Sequence, residues 1–327
     1  MPGAVAEPFG AVSLRIGGLV KRLIALPRCR RLVQAELGSS TGGADYLGDG
    51  ESLSWLEELH GCQARRHGHR ALGAAVADAG RRVGNRTLYL ELNRLLGGLA
   101  PGGGFRTVPW VRQIIDLATI GRRRLQSIDG VYGRKVRHHG LVGAHGADRR
   151  TAEEFYDELY LPYIRSRYGE SAHPRSRREV LAAIRHGFVL KVLHDGAWIA
   201  GGACRVTANT VSVVAYGARG APETALELGA VSAVNYFLLE RARERGLRWV
   251  DLLRSRPHDH DGVFEHKRRW GAEPVIDAWP HTALWVYPPS SGQLEPPSAG
   301  LLVATKKGLH RLDAVLADRR PAVGTKG

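Results

Sequence analysis

Apolar side chains recur along this chain with two periods, and the places where one period gives way to the other mark its elements. Between His139 and Tyr287 the pattern is sharpest. Gly140 to Ala144 can form a short strand. Thr151 with Glu154, and Ser176 with Glu179, have the spacing of capping boxes, in which a hydroxyl and a carboxylate three residues on satisfy free backbone N–H groups. Each pair therefore predicts a helix start. The first helix carries Phe155, Leu159 and Tyr163 and bends at Pro162; the second stops at Gly187. Three strands follow, Phe188 to His194, Ala197 to Val206 and Val211 to Tyr216. Asp195-Gly196 is a type I′ hairpin signal and Ala208-Asn209 a second turn, so the three form an antiparallel meander. Thr224 with Glu227 predicts a long helix through Leu228, Val231, Val234, Leu238 and Ala242 to Gly246. The strand Arg248 to Leu253 comes next, and arriving through a helix it can pair parallel to the meander. A short basic helix opens at Asp261, a good N-cap, and ends before Gly271 at the C′ position, with Val263, Lys267 and Trp270 on one face. On that face Val263 and Trp270 read as structural. Pro274 to Tyr287 reads as a strand pair or an interrupted edge strand around Pro280.

The first half is less regular. Leu14 to Leu37 mixes apolar residues with Lys21, Arg22, Arg28, Arg30 and Arg31, which suits helices docked on a domain or a segment lying on a membrane surface. Gly38 to Gly50 reads as a loop or flexible link. Ser52 can cap a helix through Trp55, Leu56 and Leu59, Ala71 to Ala79 is helical, and Thr87 to Leu92 and Phe105 to Leu117 are strand-like. The glycine run Gly102 to Gly104 precedes a strand and lacks a following Lys-Ser/Thr, so it is not a phosphate loop. Thr119 to His138 predicts one or two helices with a positive face. Pro288 to Gly300 is linker-like, and Leu301 to Arg320 is a basic amphipathic tail. The chain thus divides into 1–50, a basic segment and link; 51–138, a partial unit; 139–287, a complete domain; and 288–327, a linker and tail.

Composition narrows the partners. With 327 residues the chain can bury one large or two modest cores, and two units is the preferred reading. A net charge of +15 favours polyanions, whether RNA, anionic lipid or a phosphate-bearing small molecule. Three dispersed cysteines, Cys29, Cys62 and Cys204, fit neither a disulfide framework nor a zinc cluster, and no metal is expected. No apolar run reaches membrane-spanning length and no cleavable signal is evident, which points to a cytoplasmic protein, with peripheral contact at the inner membrane face as an option.

The element order after His139, together with YDELYLP near Leu161, DGAWIAGGACRV, RARERGLRWVDLLRSRP and DGVFEHKRRWGA, resembles the GNAT acyltransferase fold and, within it, the FemAB-type branch. The last motif is similar to that branch's aromatic-Lys-basic-x-aromatic-Gly pattern, with His266 where an aromatic is commoner. The resemblance implies a mixed α/β fold, with a degenerate GNAT-like unit before a complete one, and N-acyl transfer from acetyl-CoA, another acyl-CoA or aminoacyl-tRNA. The acceptor it implies is the amine of a small molecule, a peptide or a cell-wall precursor. In such a fold the donor carbonyl lies where the fourth and fifth strands part. Tyr216 and Asp251 would line that gap as catalytic groups, Lys267 would neutralise charge at the donor's reacting end, and Arg254, Arg256 and Arg268 would bind donor phosphates. Gly217 to Pro222, with Arg219 and Gly220, stands where GNAT enzymes carry the turn that cradles the coenzyme A pyrophosphate, and its spacing departs from that turn. Two other readings remain: a non-catalytic RNA- or phosphate-binding module on the same scaffold, and a membrane-adsorbed assembly protein.

Overall fold

The structure is a computed structural model describing residues 31–39, 42–82, 86–169, 172, 174–220, 222–276, 282–289, 294 and 298–319. Alternating apolar residues place β1 (Arg31–Ser39) and β2 (Gly42–Gly48) side by side and antiparallel. Two sequence expectations are corrected here. Residues 31–37 are strand rather than helix, and 42–48 are strand rather than link, because burial of Ala44, Tyr46 and Leu47 outweighs the loop bias of the glycines. The part of the basic segment before Arg31 lies outside the described residues. α1 (Leu53–His60) follows Ser52, whose side chain does not cap it, and ends at Gly61 in the left-handed region. β3 (Arg65–Ala71), α2 (Leu72–Arg82) and β4 (Thr87–Asn93) complete this stretch.

The strand expected from Phe105 to Leu117 divides around Pro109 into β5 (Phe105–Thr107) and β6 (Val111–Asp116), which join different sheets. The basic stretch after it is helical: α3 (Arg122–Ile128) and α4 (Arg134–His138), joined by one wide turn at Asp129–Gly133. After β7 (Val142–Gly146), α5 (Arg149–Glu154) is capped by Asp148, which accepts the Thr151 N–H at 2.8 Å; the cap therefore sits three residues before the expected Thr151. A wide turn at Phe155–Tyr160 leads into α6 (Leu161–Tyr168), with Pro162 in its first turn. The Ser176–Glu179 capping box opens α7 (Arg177–Arg185) with both of its bonds formed.

The meander is β8 (Gly187–His194), β9 (Ala197–Thr207) and β10 (Thr210–Ala218), turning at Asp195 (φ 49°) and Ala208 (φ 45°) as expected. The single long helix expected after it is two helices, α8 (Pro222–Glu227) and α9 (Ala230–Glu244), divided at Gly229, which has φ 68°. β11 (Trp249–Ser255) pairs parallel to β10. α10 (Gly262–Arg269) begins after Asp261, whose carboxylate accepts the Phe264 N–H at 2.7 Å, and ends before Gly271 at φ 80°.

β12 (Glu273–Ile276) and β13 (Thr282–Tyr287) lie in different sheets. β13 is no edge strand, since β4 and β5 flank it on both sides. Pro280 lies outside the described residues. The described parts of the expected linker and tail belong to the first unit: Ser298 bonds Tyr89 at 2.9 Å, and β14 (Leu302–Thr305), β15 (Gly308–Arg311) and α11 (Leu312–Arg319) bring Leu301, Val303 and Leu312 into its core.

The chain therefore does not divide into four consecutive segments. Of the described residues, one unit takes those up to Val111 with Arg254–Glu265 and those from Val275 onward, around a six-stranded sheet ordered β3-β1-β2-β4-β13-β5. The other takes Arg112–Leu253 with His266–Pro274, around a seven-stranded sheet ordered β12-β6-β11-β10-β9-β8-β7. Cys62 and Cys204 are free thiols. Among the described residues no helix is long and apolar enough to cross a membrane.

Candidate functional site

In the second unit β10 and β11 run together for only three rungs, Thr210 to Ser212 against Trp249 to Asp251. Beyond them each strand departs from regular geometry. β10 carries an irregularity between Val213 and Ala215 and stays paired with β9, while Leu253 on β11 takes φ 62°. A left-handed leucine costs about 1–2 kcal/mol, so something must hold it. Asp251 does so. Its carboxylate is fully buried and accepts the Leu253 N–H at 2.8 Å and the Ser212 hydroxyl at 3.2 Å, and it is ion-paired with Arg112 on β6.

Tyr216 stands on β10 beyond the irregularity and donates its hydroxyl to Asn235 Oδ1 on α9 at 2.7 Å. Burial drives its phenol pKa well up, with Cys204 and Asp251 adding to the effect. The next residue, Gly217, lies against the wide turn at Phe155–Tyr160: an added Cβ would come within 2.7 Å of the Leu159 carbonyl carbon and the Tyr160 nitrogen, so no larger residue fits. Of the other groups expected in this unit, Arg219 bridges Glu154 at 3.0 Å and Glu158 at 2.8 Å. Gly220 follows at φ 78° with open space around it.

Lys267 on α10 is only 8% exposed, and Arg268 beside it is exposed. Trp270 is fully buried, stacked on Tyr132 with ring centroids 3.9 Å apart, and its indole N–H donates to His266 Nε2 at 3.3 Å. Burial, with Lys267, Arg269 and Arg167 nearby, holds the His266 pKa below its usual value; accepting that bond leaves the ring proton on Nδ1. The face expected from Val263, Lys267 and Trp270 is corrected in part: Val263 is 52% exposed and Phe264 turns inward in its place.

Arg254 and Arg256 belong to the first unit. Arg254 is exposed at the end of β11. Arg256 lies 3.6 Å from the Trp110 ring centroid and 5.6 Å from that of Trp55, and burial lowers its pKa to about 10 against the pull of Glu58, Asp261, Glu51 and Glu91. Such stacking favours a packing role over an open phosphate ligand.

Sequence reasoning missed a second polar centre in that unit. Glu91, fully buried on β4, accepts bonds from the Ser52 hydroxyl and Tyr46 hydroxyl, both at 2.5 Å, and from the Ser52 N–H at 3.0 Å. Burial foremost, with Asp49 beside it, drives its carboxyl pKa well up. Carboxylate oxygens of Asp49, Glu51 and Glu91 lie within 4.8 Å of one another, close enough to share a cation, while the burial that raises the Glu91 pKa disfavours its charged form. The signal available in the sequence was a single acid inside the otherwise apolar TLYLEL.

No protein-family description matches the chain, and no curated protein matches it in sequence. Among solved structures it is similar to L-PGS from Bacillus licheniformis at 13% identity, over 90% of this chain and 96% of that one, with a TM-score of 0.40. It is similar to FemX at 10% identity, over 80% and 84% of the two chains, with a TM-score of 0.39. A GCN5-related N-acetyltransferase from Sphaerobacter thermophilus matches at 12% identity, over 79% and 76%, with a TM-score of 0.35. By its own strand order, and by the parting of β10 from β11, the second unit has the GNAT-type fold that the sequence resemblance implied. Each of the two units is built on a mixed sheet.

Proposed function

We propose that the chain is an N-acyltransferase that moves an acyl group, in particular an aminoacyl group from its tRNA ester, onto a primary amine. The observation that carries this reading is the parting of β10 and β11 after Ser212 and Asp251, which turns strand-edge backbone groups toward a gap where a carbonyl can be held. Lys267 supplies a buried cation against negative charge developing at the donor. Neither Tyr216 nor Asp251 is placed as a free acid or base, since each is bonded inside the fold. Positioning and electrostatics then carry the catalysis: the amine arrives already deprotonated, its nitrogen forms the amide bond as the ester C–O bond breaks, and the proton it sheds passes to the released ribose oxygen.

Two features favour the aminoacyl ester over coenzyme A. Arg219, at the place of the pyrophosphate turn, is already neutralised by Glu154 and Glu158, so a pyrophosphate there meets an excess of negative charge. The second unit also exposes Arg122, Arg123, Arg124, Arg134, Lys135, Arg268 and Arg269, which suit a polyanionic donor. The acceptor is an amine on a small molecule, a peptide or a cell-wall precursor, and peripheral contact with an anionic membrane is compatible with the same charge. The test is label transfer to a panel of amines from charged tRNA and, separately, from acyl-CoA. Transfer from charged tRNA supports the reading; transfer from acyl-CoA alone reverses the donor assignment.

A second reading rests on the same internal bonding of Tyr216 and Asp251: a non-catalytic RNA- or phosphate-binding module on this scaffold. It is favoured by salt-sensitive RNA binding without turnover.

A further inference from the structure

The acid most easily taken for a general base does something else. Asp251 has no exposed surface, and its carboxylate is engaged by Arg112, by the Ser212 hydroxyl and by the Leu253 N–H. The last bond closes a ring from a side chain to the amide two residues on, the arrangement in which an Asp imposes a turn on its own backbone. Leu253 accordingly sits at φ 62° inside a strand, where leucine gains nothing from that conformation. The kink falls two residues past the last rung that β11 shares with β10, at the level where β10 shifts its own register between Val213 and Ala215.

We propose that Asp251 is a positioning residue that acts through Leu253: anchored by Arg112 and Ser212, its carboxylate holds the left-handed kink that keeps β11 turned away from β10 and fixes the width of the donor gap. The inference rests on the acyl-transfer reading and deepens it. An acid placed only to balance Arg112 would need no bond to the Leu253 amide, and an acid acting as a base would need an oxygen facing the gap. Oδ1 is bonded to that amide, and Oδ2 to Ser212 and Arg112.

Removing Asp251 also takes an ion-pair partner from a largely buried guanidinium, so the informative substitutions are at Leu253. A packing role and a conformational role rank two variants in opposite orders. Leu253→Val keeps most of the side chain but adds β-branching, which the left-handed region tolerates worst, whereas Leu253→Gly deletes the side chain and frees the conformation. We expect kcat for label transfer to fall about tenfold in L253V, from a conformational cost of the size given for left-handed residues, and to stay within about twofold in L253G. KM for the acceptor should move little in either. Asp251→Asn keeps an acceptor for the Leu253 amide and should retain more kcat than Asp251→Ala, and adding L253G to Asp251→Ala should recover part of the loss. An L253G enzyme impaired more than L253V overturns the proposal while transfer itself stands. If the unaltered chain transfers nothing from any donor, the functional reading falls and the positioning role falls with it.

Discussion

Replacing Tyr216 by Phe separates a structural tyrosine from a catalytic one. The hydroxyl donates to Asn235 Oδ1 at 2.7 Å, Asn235 is 4% exposed, and burial drives the phenol pKa far up, so the proton is committed within the fold. Deleting the hydroxyl forfeits one buried neutral hydrogen bond and leaves the Asn235 oxygen without this donor, a loss of about 1–3 kcal/mol. In a unit of this size each kcal/mol lowers Tm by roughly 2–4 °C, which places the variant several degrees below the parent. The rate should respond differently. A proton donor to the leaving group would be worth about 10²–10⁴ in rate, whereas a tyrosine bonded inward should cost less than about threefold in kcat. The assay is label transfer under saturating donor beside thermal melting of the same preparation. Asn235→Ala supplies the control: because it removes the same bond, its Tm loss and that of Y216F should not add. A hundredfold fall in kcat with Tm unchanged would refute the reasoning and restore Tyr216 as the acid.

Glu91 predicts a pH effect in the first unit. Its folded pKa lies above the ordinary value of 4.5, so the stability its neutral form contributes is complete below that value and is lost as pH rises toward the folded pKa. The loss runs at about 1.4 kcal/mol per pH unit between the two pKa values. Glu91→Gln, neutral throughout, should gain on the parent in urea unfolding as pH rises above that ordinary value; parallel pH profiles would contradict a raised Glu91 pKa. For the basic face, replacing Arg122, Arg123 and Arg268 by Ala should lower the slope of log K against log salt for RNA binding by about 2–3, if each meets a phosphate. An unchanged slope would move the RNA contact elsewhere.

The parts of the fold legible in the sequence were those fixed by neighbouring residues. Ser176 and Glu179 make their capping box from one turn of chain, and Asp195-Gly196 turns the meander where the pair alone dictates. Where two local signals overlapped the choice went astray: Asp148 and Thr151 can both cap, and the structure uses Asp148. β2 was hidden because glycines bias toward loops, and only the burial of Tyr46 and Leu47, a tertiary fact, makes it a strand. The position of β13 between β4 and β5 depends on partners nearly two hundred residues distant, which no local pattern reports. The site divides in the same way. The strands bearing Tyr216 and Asp251 could be read, but Arg112 is 139 residues from Asp251, and a leucine gives no sign that it will be left-handed.

The most direct test of acyl transfer at the β10/β11 gap is single-turnover transfer from charged tRNA to a reactive amine, with the parent chain and Lys267→Ala measured side by side. The parent should transfer the aminoacyl group, and K267A should lose about 10²–10³ in rate while still binding RNA, as expected for removal of a charge that stabilises the transition state. Equal transfer by the two proteins, or RNA binding with no transfer by the parent, would contradict the account.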